Sequence, residues 1–255
     1  MRNFKLWVHD FWDLLFPRCC AVCGRHLGRG EQQLCASCLI ALPYVKTPQG
    51  GYEPEALAPT KTKCDIDTTK THEDFYSNEM ARLFWGKISI ERAFCYVRYG
   101  AEGVAHRLLM ELKYDHRPDV GIGMGRMMAR DLEPQGFFQG IDCIVPLPLH
   151  WIRHLSRGYN QSGQLAKGIA ERTGLPVMTG YVERVRNNES QTHKTAVERL
   201  KNVEGLFRLR RPIPCRHILL VDDVLTTGAT LTACAQAILE AQPDVKLSVL
   251  TLAKA

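Results

Sequence analysis

The chain has 255 residues, of which 45% are hydrophobic and 24% charged, and it carries a formal net charge of +6. These proportions exclude a disordered or fibrous chain and fit either one large domain or a medium domain joined to a small one. No apolar run reaches the roughly 18–20 residues of a membrane helix, so no membrane span is expected.

The first stretch, MRNFKLWVHDFWDLLFP, repeats Phe4, Trp7 or Val8, Phe11 or Trp12, and Leu15 at helical spacing. His9, Asp10 and Asp13 interrupt it and no small-residue cleavage site follows, which argues against a signal peptide. Its polar face is not basic, so the expected structure is an amphipathic helix packed on the body rather than on a membrane.

Cys20-Ala-Val-Cys23 and Cys35-Ala-Ser-Cys38 follow as two CxxC knuckles separated by eleven residues. Each knuckle turns two thiolates toward one ion, so Cys20, Cys23, Cys35 and Cys38 are the expected ligands of a tetrahedral Zn²⁺. All four positions come from protein, which makes the metal structural, a tie for a segment too short to build its own core. The chain holds ten cysteines. With four in a metal pattern and no export signal, the expected compartment is the reducing cytoplasm. Cys95, Cys143, Cys215 and Cys234 fall in strand or helix patterns and read as packing residues.

Three units are expected: an N-terminal helix and four-cysteine zinc module over 1–43, an irregular linker over 44–90, and an α/β domain over 91–255. The linker is assigned on its polar, Thr-, Pro-, Glu- and Lys-rich first part and its lack of periodicity. Beyond it, strand and helix patterns alternate. The strands are expected at 93–99, 141–149, 217–223 and 246–253; the helices at 103–114, 120–132, 160–174 and 230–242. Asn160 is a candidate N-cap, Gly174 a helix stop, and three glycines weaken the helix over 120–132. Such alternation with short apolar runs implies a parallel sheet flanked by helices.

Residues 150–216 hold 13 Lys and Arg against 5 Asp and Glu, while the remainder is slightly acidic. A focused basic segment points to an anionic ligand. VDDVLTTGAT (221–230) lies where an apolar strand ends and a helix begins. Open parallel sheets bind ligands beyond their carboxyl ends, and a helix N-terminus presents free amides and partial positive charge. Gly228 permits close backbone approach, and Thr226, Thr227 and Thr230 add hydroxyls. Asp222 and Asp223 can accept hydrogen bonds from neighbouring hydroxyls and help hold Mg²⁺ through water. A ribose 5-phosphate suits both halves.

ILLVDDVLTTGAT (218–230) resembles the signature of type I phosphoribosyltransferases. The resemblance implies that fold, with Asp222 and Asp223 on the ribose 2- and 3-hydroxyls of phosphoribosyl pyrophosphate. Thr226, Thr227, Gly228, Ala229 and Thr230 would then surround its 5-phosphate. CCAVCG with LCASC, then LKY, VPLPLHWIRHLSRGYNQ and RVRNNESQTHKTAVERLKN, narrow the resemblance to the ComF family. Its members are competence-associated, phosphoribosyltransferase-like proteins with a zinc-binding N-terminus.

The same resemblance makes Arg153 and Arg157, with His154, candidate pyrophosphate contacts at the end of the strand over 141–149. It makes the stretch from 184 to 202 a substrate-closing loop, with Arg184, Arg186, Lys194 and Arg199 as candidate anion contacts. Mg²⁺ would accompany the pyrophosphate. Hypoxanthine-guanine enzymes carry an aspartate where this chain has Thr226, which argues against that acceptor class. ComF relatives often have a second cysteine-pair region, for which only Cys64, near His72, remains.

Two functions stay open. One is phosphoribosyl transfer to an unidentified acceptor. The other is a non-catalytic component of the DNA-uptake machinery, binding single-stranded DNA or competence proteins. Trp85, Trp151 and Tyr159 near basic residues are the stacking candidates for DNA, although packing is the expectation for each.

Overall fold

The computed structural model describes residues 17–45, 78–114, 117–186 and 205–255. The expected N-terminal helix, most of the linker with Cys64 and His72, and Lys194 and Arg199 lie outside the described residues.

In chain order the elements are α1 (Ala36–Ile40), α2 (Glu79–Arg82), β1 (Arg92–Arg98), α3 (Val104–Tyr114), α4 (Pro118–Leu132), β2 (Cys143–Pro146), α5 (Trp151–Arg157), α6 (Gln161–Thr173), β3 (Val182–Arg184), β4 (Phe207–Leu209), β5 (His217–Leu225), α7 (Ala229–Ala241) and β6 (Lys246–Lys254). Four strands form one parallel sheet in the order β1-β6-β5-β2, while β3 and β4 pair antiparallel as a separate ribbon. Parallel neighbours need helical crossovers, and these cover both sheet faces. This is the expected α/β architecture.

Because side chains alternate across a strand, β5 feeds two cores. Leu219 and Val221 join α3, α4, α6 and the cysteine module on one face. Ile218 and Leu220 join α2, α7 and the β3–β4 ribbon on the other. Cys95, Cys143 and Cys234 are fully buried among these residues, while Cys215 is half-buried.

β2 is shorter than its apolar run. After Pro146, Leu147 N–H still donates to Val221 O at 2.9 Å, and then Pro148, with no N–H, ends the pairing. The last part of the expected linker is ordered instead of irregular. Asn78 caps α2 by accepting from Met80 N and Ala81 N, and Met80, Ala81 and Phe84 are buried in the core. Its single helical turn is too short to show a periodicity.

The glycines that lower helix propensity have a packing role. A Cβ on Gly125 of α4 would sit 2.1 Å from Leu165 O of α6, and one on Gly168 of α6 would sit 2.0 Å from Ile122 O. Their backbones are in contact, and only hydrogen fits between them.

Candidate functional site

Asp222 and Asp223 lie inside β5 rather than beyond it. Asp222 is paired with Thr251 of β6, and the strand continues to Leu225. Thr226 is exposed, Thr227 and Thr230 are half-buried, and Gly228 and Ala229 are buried. Gly228 has φ 75° and forms the N-cap of α7, a left-handed backbone that a side chain would strain. Behind it stand Phe84 and Leu83, 3.5 and 3.7 Å from where a Cβ would be. The N-cap residue Gly228 has no side chain to cap α7; Thr227 Oγ1 accepts from Ala229 N–H at 3.4 Å, and the first turn brings its amides and partial positive charge to the loop.

Each carboxylate has a partner from a different helix. Ser162 Oγ, on the first turn of α6, donates to Asp222 Oδ1 at 2.9 Å, and Asp223 N–H donates to the same oxygen at 2.9 Å. Lys113 Nζ, on the last turn of α3, lies 3.5 Å from Asp223 Oδ2. Burial, reinforced by the charge of Asp223, pushes the Asp222 carboxyl up to about 8. Ser162 and Lys113 are not legible as site residues in the sequence. Ser162 reads as a helix position, and Lys113 lies within LKY, a motif that carries resemblance without a role.

The candidate anion contacts are dispersed. WIRHLSR forms α5 behind the N-cap His150, so Arg153 and Arg157 are helical, and Arg157 Nη1 donates to Gln161 Oε1 at 3.2 Å. Its guanidinium lies 5.7 Å from the ring centre of Tyr114, beside the acidic pair's partner Lys113. Arg184 belongs to β3 rather than to a loop, and its guanidinium lies 5.7 Å from the ring centre of Phe207. Arg186 is exposed just beyond that strand.

A cavity of about 720 Å³ opens at the end of β2, lined by Pro146, Trp151, Asn160, Gln164, Glu183 and Arg184 among others. Pro146 pairs with Val221, the residue before Asp222, so the cavity and the acidic pair flank the same strand ends. Asn160 occupies the N-cap position of α6, but its side chain is turned away, with Nδ2 donating to Leu147 O at 2.9 Å.

The aromatic expectations divide. Tyr159 is buried and its hydroxyl donates to Leu112 O at 2.6 Å, as a packing residue should. Trp151 is 64% exposed and Trp85 57%, so neither is the packing residue expected. The Arg82 guanidinium lies 5.8 Å from the ring centre of Trp85. Trp85 follows a short helix whose Met80 and Ala81 fill the core, whereas Trp151 begins α5, none of whose described residues is buried.

The four cysteines converge, with their sulfurs all within 4.8 Å of one another. Tetrahedral Zn²⁺ with Zn–S bonds of about 2.3 Å requires sulfurs about 3.8 Å apart. Cys23 Sγ and Cys35 Sγ are 3.6 Å apart, so the donor set fits a metal of this kind. Gly24, at φ 69°, turns the chain out of the first knuckle, and Cys35 is the N-cap of α1. Burial raises the Cys20 thiol, but hydrogen bonds from Cys35, Cys23 and Val22 outweigh it and bring it down to about 7. Burial and the surrounding thiols push Cys38 up. Among the described residues no helix is long and apolar enough to cross a membrane.

Residues 155–255 match the family model of the phosphoribosyl transferase domain. The DNA utilization protein YhgH of Salmonella typhi is 33% identical over 135 residues, covering 52% of this chain and 60% of that protein. Competence protein F of Haemophilus influenzae is 36% identical over 93 residues, 35% of this chain and 41% of that one. Competence protein ComFC of Bacillus subtilis is 34% identical over 110 residues, 43% of each chain. The similarity thus spans less than two thirds of each relative's length.

Proposed function

We propose that the chain is a member of the ComF family, and from that premise that it binds phosphoribosyl pyrophosphate or a related sugar phosphate while serving DNA uptake in natural transformation. The observation that carries this reading is the placement of Asp222 and Asp223 within the last four residues of β5, a short turn before the N-terminus of α7. Carboxyls accept from, or donate to, a vicinal diol, and the amides of α7 suit a 5-phosphate. Thr226, Thr227 and Thr230 add hydroxyl donors around the same phosphate. Arg157, at the end of α5 and bonded to Gln161, the neighbour of Ser162, would be a cation for the diphosphate.

Mg²⁺ would enter with the diphosphate and spread its charge. Zn²⁺ would be held by Cys20, Cys23, Cys35 and Cys38 and would tie the module to the sheet, whose core these residues join. Transfer of the ribosyl group, if it occurs, would rest on orientation and electrostatics at C1 rather than on a covalent enzyme intermediate.

The test is ligand-induced stabilisation by phosphoribosyl pyrophosphate in the presence and absence of Mg²⁺. The expected result is a Mg²⁺-dependent rise in melting temperature that is lost in Asp222→Asn/Asp223→Asn. No shift with any sugar phosphate sinks the reading. Release of pyrophosphate upon adding candidate acceptors separates turnover from binding alone.

A second reading, contact with single-stranded DNA, is favoured by the exposed aromatics with cations against them. Arg157 lies by Tyr114, Arg82 by Trp85, and Trp151 stands at the cavity mouth. Stacking on such rings contributes about 1–3 kcal/mol per base. DNA affinity that falls steeply with salt, and falls again in Trp151→Ala or Arg157→Ala, supports this reading; salt-insensitive or unchanged affinity removes it.

A further inference from the structure

A sugar carrying both a 5-phosphate and a 1-diphosphate is strongly anionic, yet the site offers it two carboxyls. Something must keep the acidic pair from repelling its own ligand. Part of the answer is Asp222, which burial favours in its protonated form. Asp223 has a different remedy, the ammonium of Lys113 at 3.5 Å. The Lys113 side chain is only 24% exposed and that of Asp223 16%, so water screens the pair less than it would at an open surface.

Lys113 is also firmly placed. Leu112 is fully buried, and its carbonyl accepts from Tyr159 at 2.6 Å. Tyr114 lies against Arg157, whose guanidinium is bound to Gln161. The last turn of α3 is thereby fastened to the same stretch, 157–161, that leads into Ser162 and hence to Asp222. One local assembly sets both carboxyls.

We infer that Lys113 is a positioning residue of this site: its ammonium orients Asp223 toward the ribose diol and offsets its charge, so that a highly phosphorylated sugar is accepted. This rests on the reading of the end of β5 and the start of α7 as a sugar-phosphate site. It carries two consequences that a merely structural lysine would lack. The effect of removing the charge depends on how many phosphates the ligand bears, and it disappears once Asp223 is neutral.

The experiment measures binding of phosphoribosyl pyrophosphate with Mg²⁺, and of ribose 5-phosphate, to the full chain and to Lys113→Met, Lys113→Gln, Lys113→Arg, Asp223→Asn and Lys113→Met/Asp223→Asn. The expected result is a loss of roughly tenfold for phosphoribosyl pyrophosphate in the uncharged variants, and a smaller loss for ribose 5-phosphate. Lys113→Arg should retain most of the affinity, and the double variant should bind no worse than Asp223→Asn alone.

Unchanged affinity in Lys113→Met or Lys113→Gln, with the unmodified chain binding both ligands, overturns the inference and leaves the site reading intact. Equal losses for both ligands overturn it as well. So does a drop in unliganded melting temperature large enough to explain the loss in both uncharged variants, because the lysine is then structural. Losses that multiply in the double variant show that Lys113 does not act through Asp223. An unmodified chain that binds neither ligand removes the site reading itself, and this inference with it.

Discussion

Ser162 Oγ donates to Asp222 Oδ1 across 2.9 Å, joining the first turn of α6 to the interior of β5 although 60 residues separate them. Ser162 is 3% exposed, so the bond is shielded from water. It favours the ionised carboxylate and is one of the influences holding Asp222 down against burial. Ser162→Ala is therefore expected to raise the Asp222 pKa further. The cost in stability should be about 1–2 kcal/mol, read by urea denaturation. An unchanged Asp222 titration, followed by NMR of the carboxyl carbon, would contradict the assignment.

Asp222 also makes stability depend on pH. Its ordinary value is 3.8, and in the fold it rises to about 8 through burial first and Asp223 second. Between those values the folded protein keeps a proton that the unfolded chain has lost. Stability from this residue is thus present at low pH and falls as pH climbs from about 4 to about 8. In Asp222→Asn that decline should be absent. Denaturation midpoints of both proteins between pH 5.5 and 8.5 check the sign; parallel profiles would refute it.

The contact between α4 and α6 should tolerate no methyl group. Gly168→Ala places a carbon against Ile122 O, and Gly125→Ala places one against Leu165 O; both obstacles are backbone. Alanine has the higher helix propensity, by about 1 kcal/mol, so propensity alone predicts stabilisation. Overpacking is expected to win, with a net destabilisation of about 1–3 kcal/mol in either variant. Equilibrium unfolding decides between the two signs.

Metal analysis of the purified chain should find one Zn²⁺ held by the four cysteines. Cys38→Ser should lower the bound metal and the melting temperature together, because Cys20, Cys35 and Cys38 are part of the core that includes α3, α4 and α6. A strong chelator should reproduce the effect and expose reactive thiols. Full stability in metal-free protein would show that packing alone holds the module.

The features most legible in the sequence are those whose cause is local. Two CxxC knuckles announce a metal cluster because a short turn by itself brings paired sulfurs together. The run HILLVDD followed by TTGAT announces a strand, a tight turn and a helix start, since Gly228 and the apolar alternation act within a few residues. By contrast, α2 and the β3–β4 ribbon give no such signal. Each is three or four residues long, below the length at which a period can be counted, and is held by the core instead of by its own pattern. Trp151 and Trp85 depart from the packing expectation because composition cannot tell whether, or on which side, the body covers a short helix.

By itself the sequence determined the alternation of the four sheet strands with their longer helices, the four-cysteine cluster and the acidic pair of the strand that precedes a tight turn, since each depends on neighbours along the chain. Only the tertiary structure decided that Ser162 and Lys113 belong to the acidic pair, that Arg184 lies on a ribbon, and that two glycine-bearing helices touch backbone to backbone. These relations join residues tens of positions apart, and packing of helices on a parallel sheet is what brings them within a few ångströms.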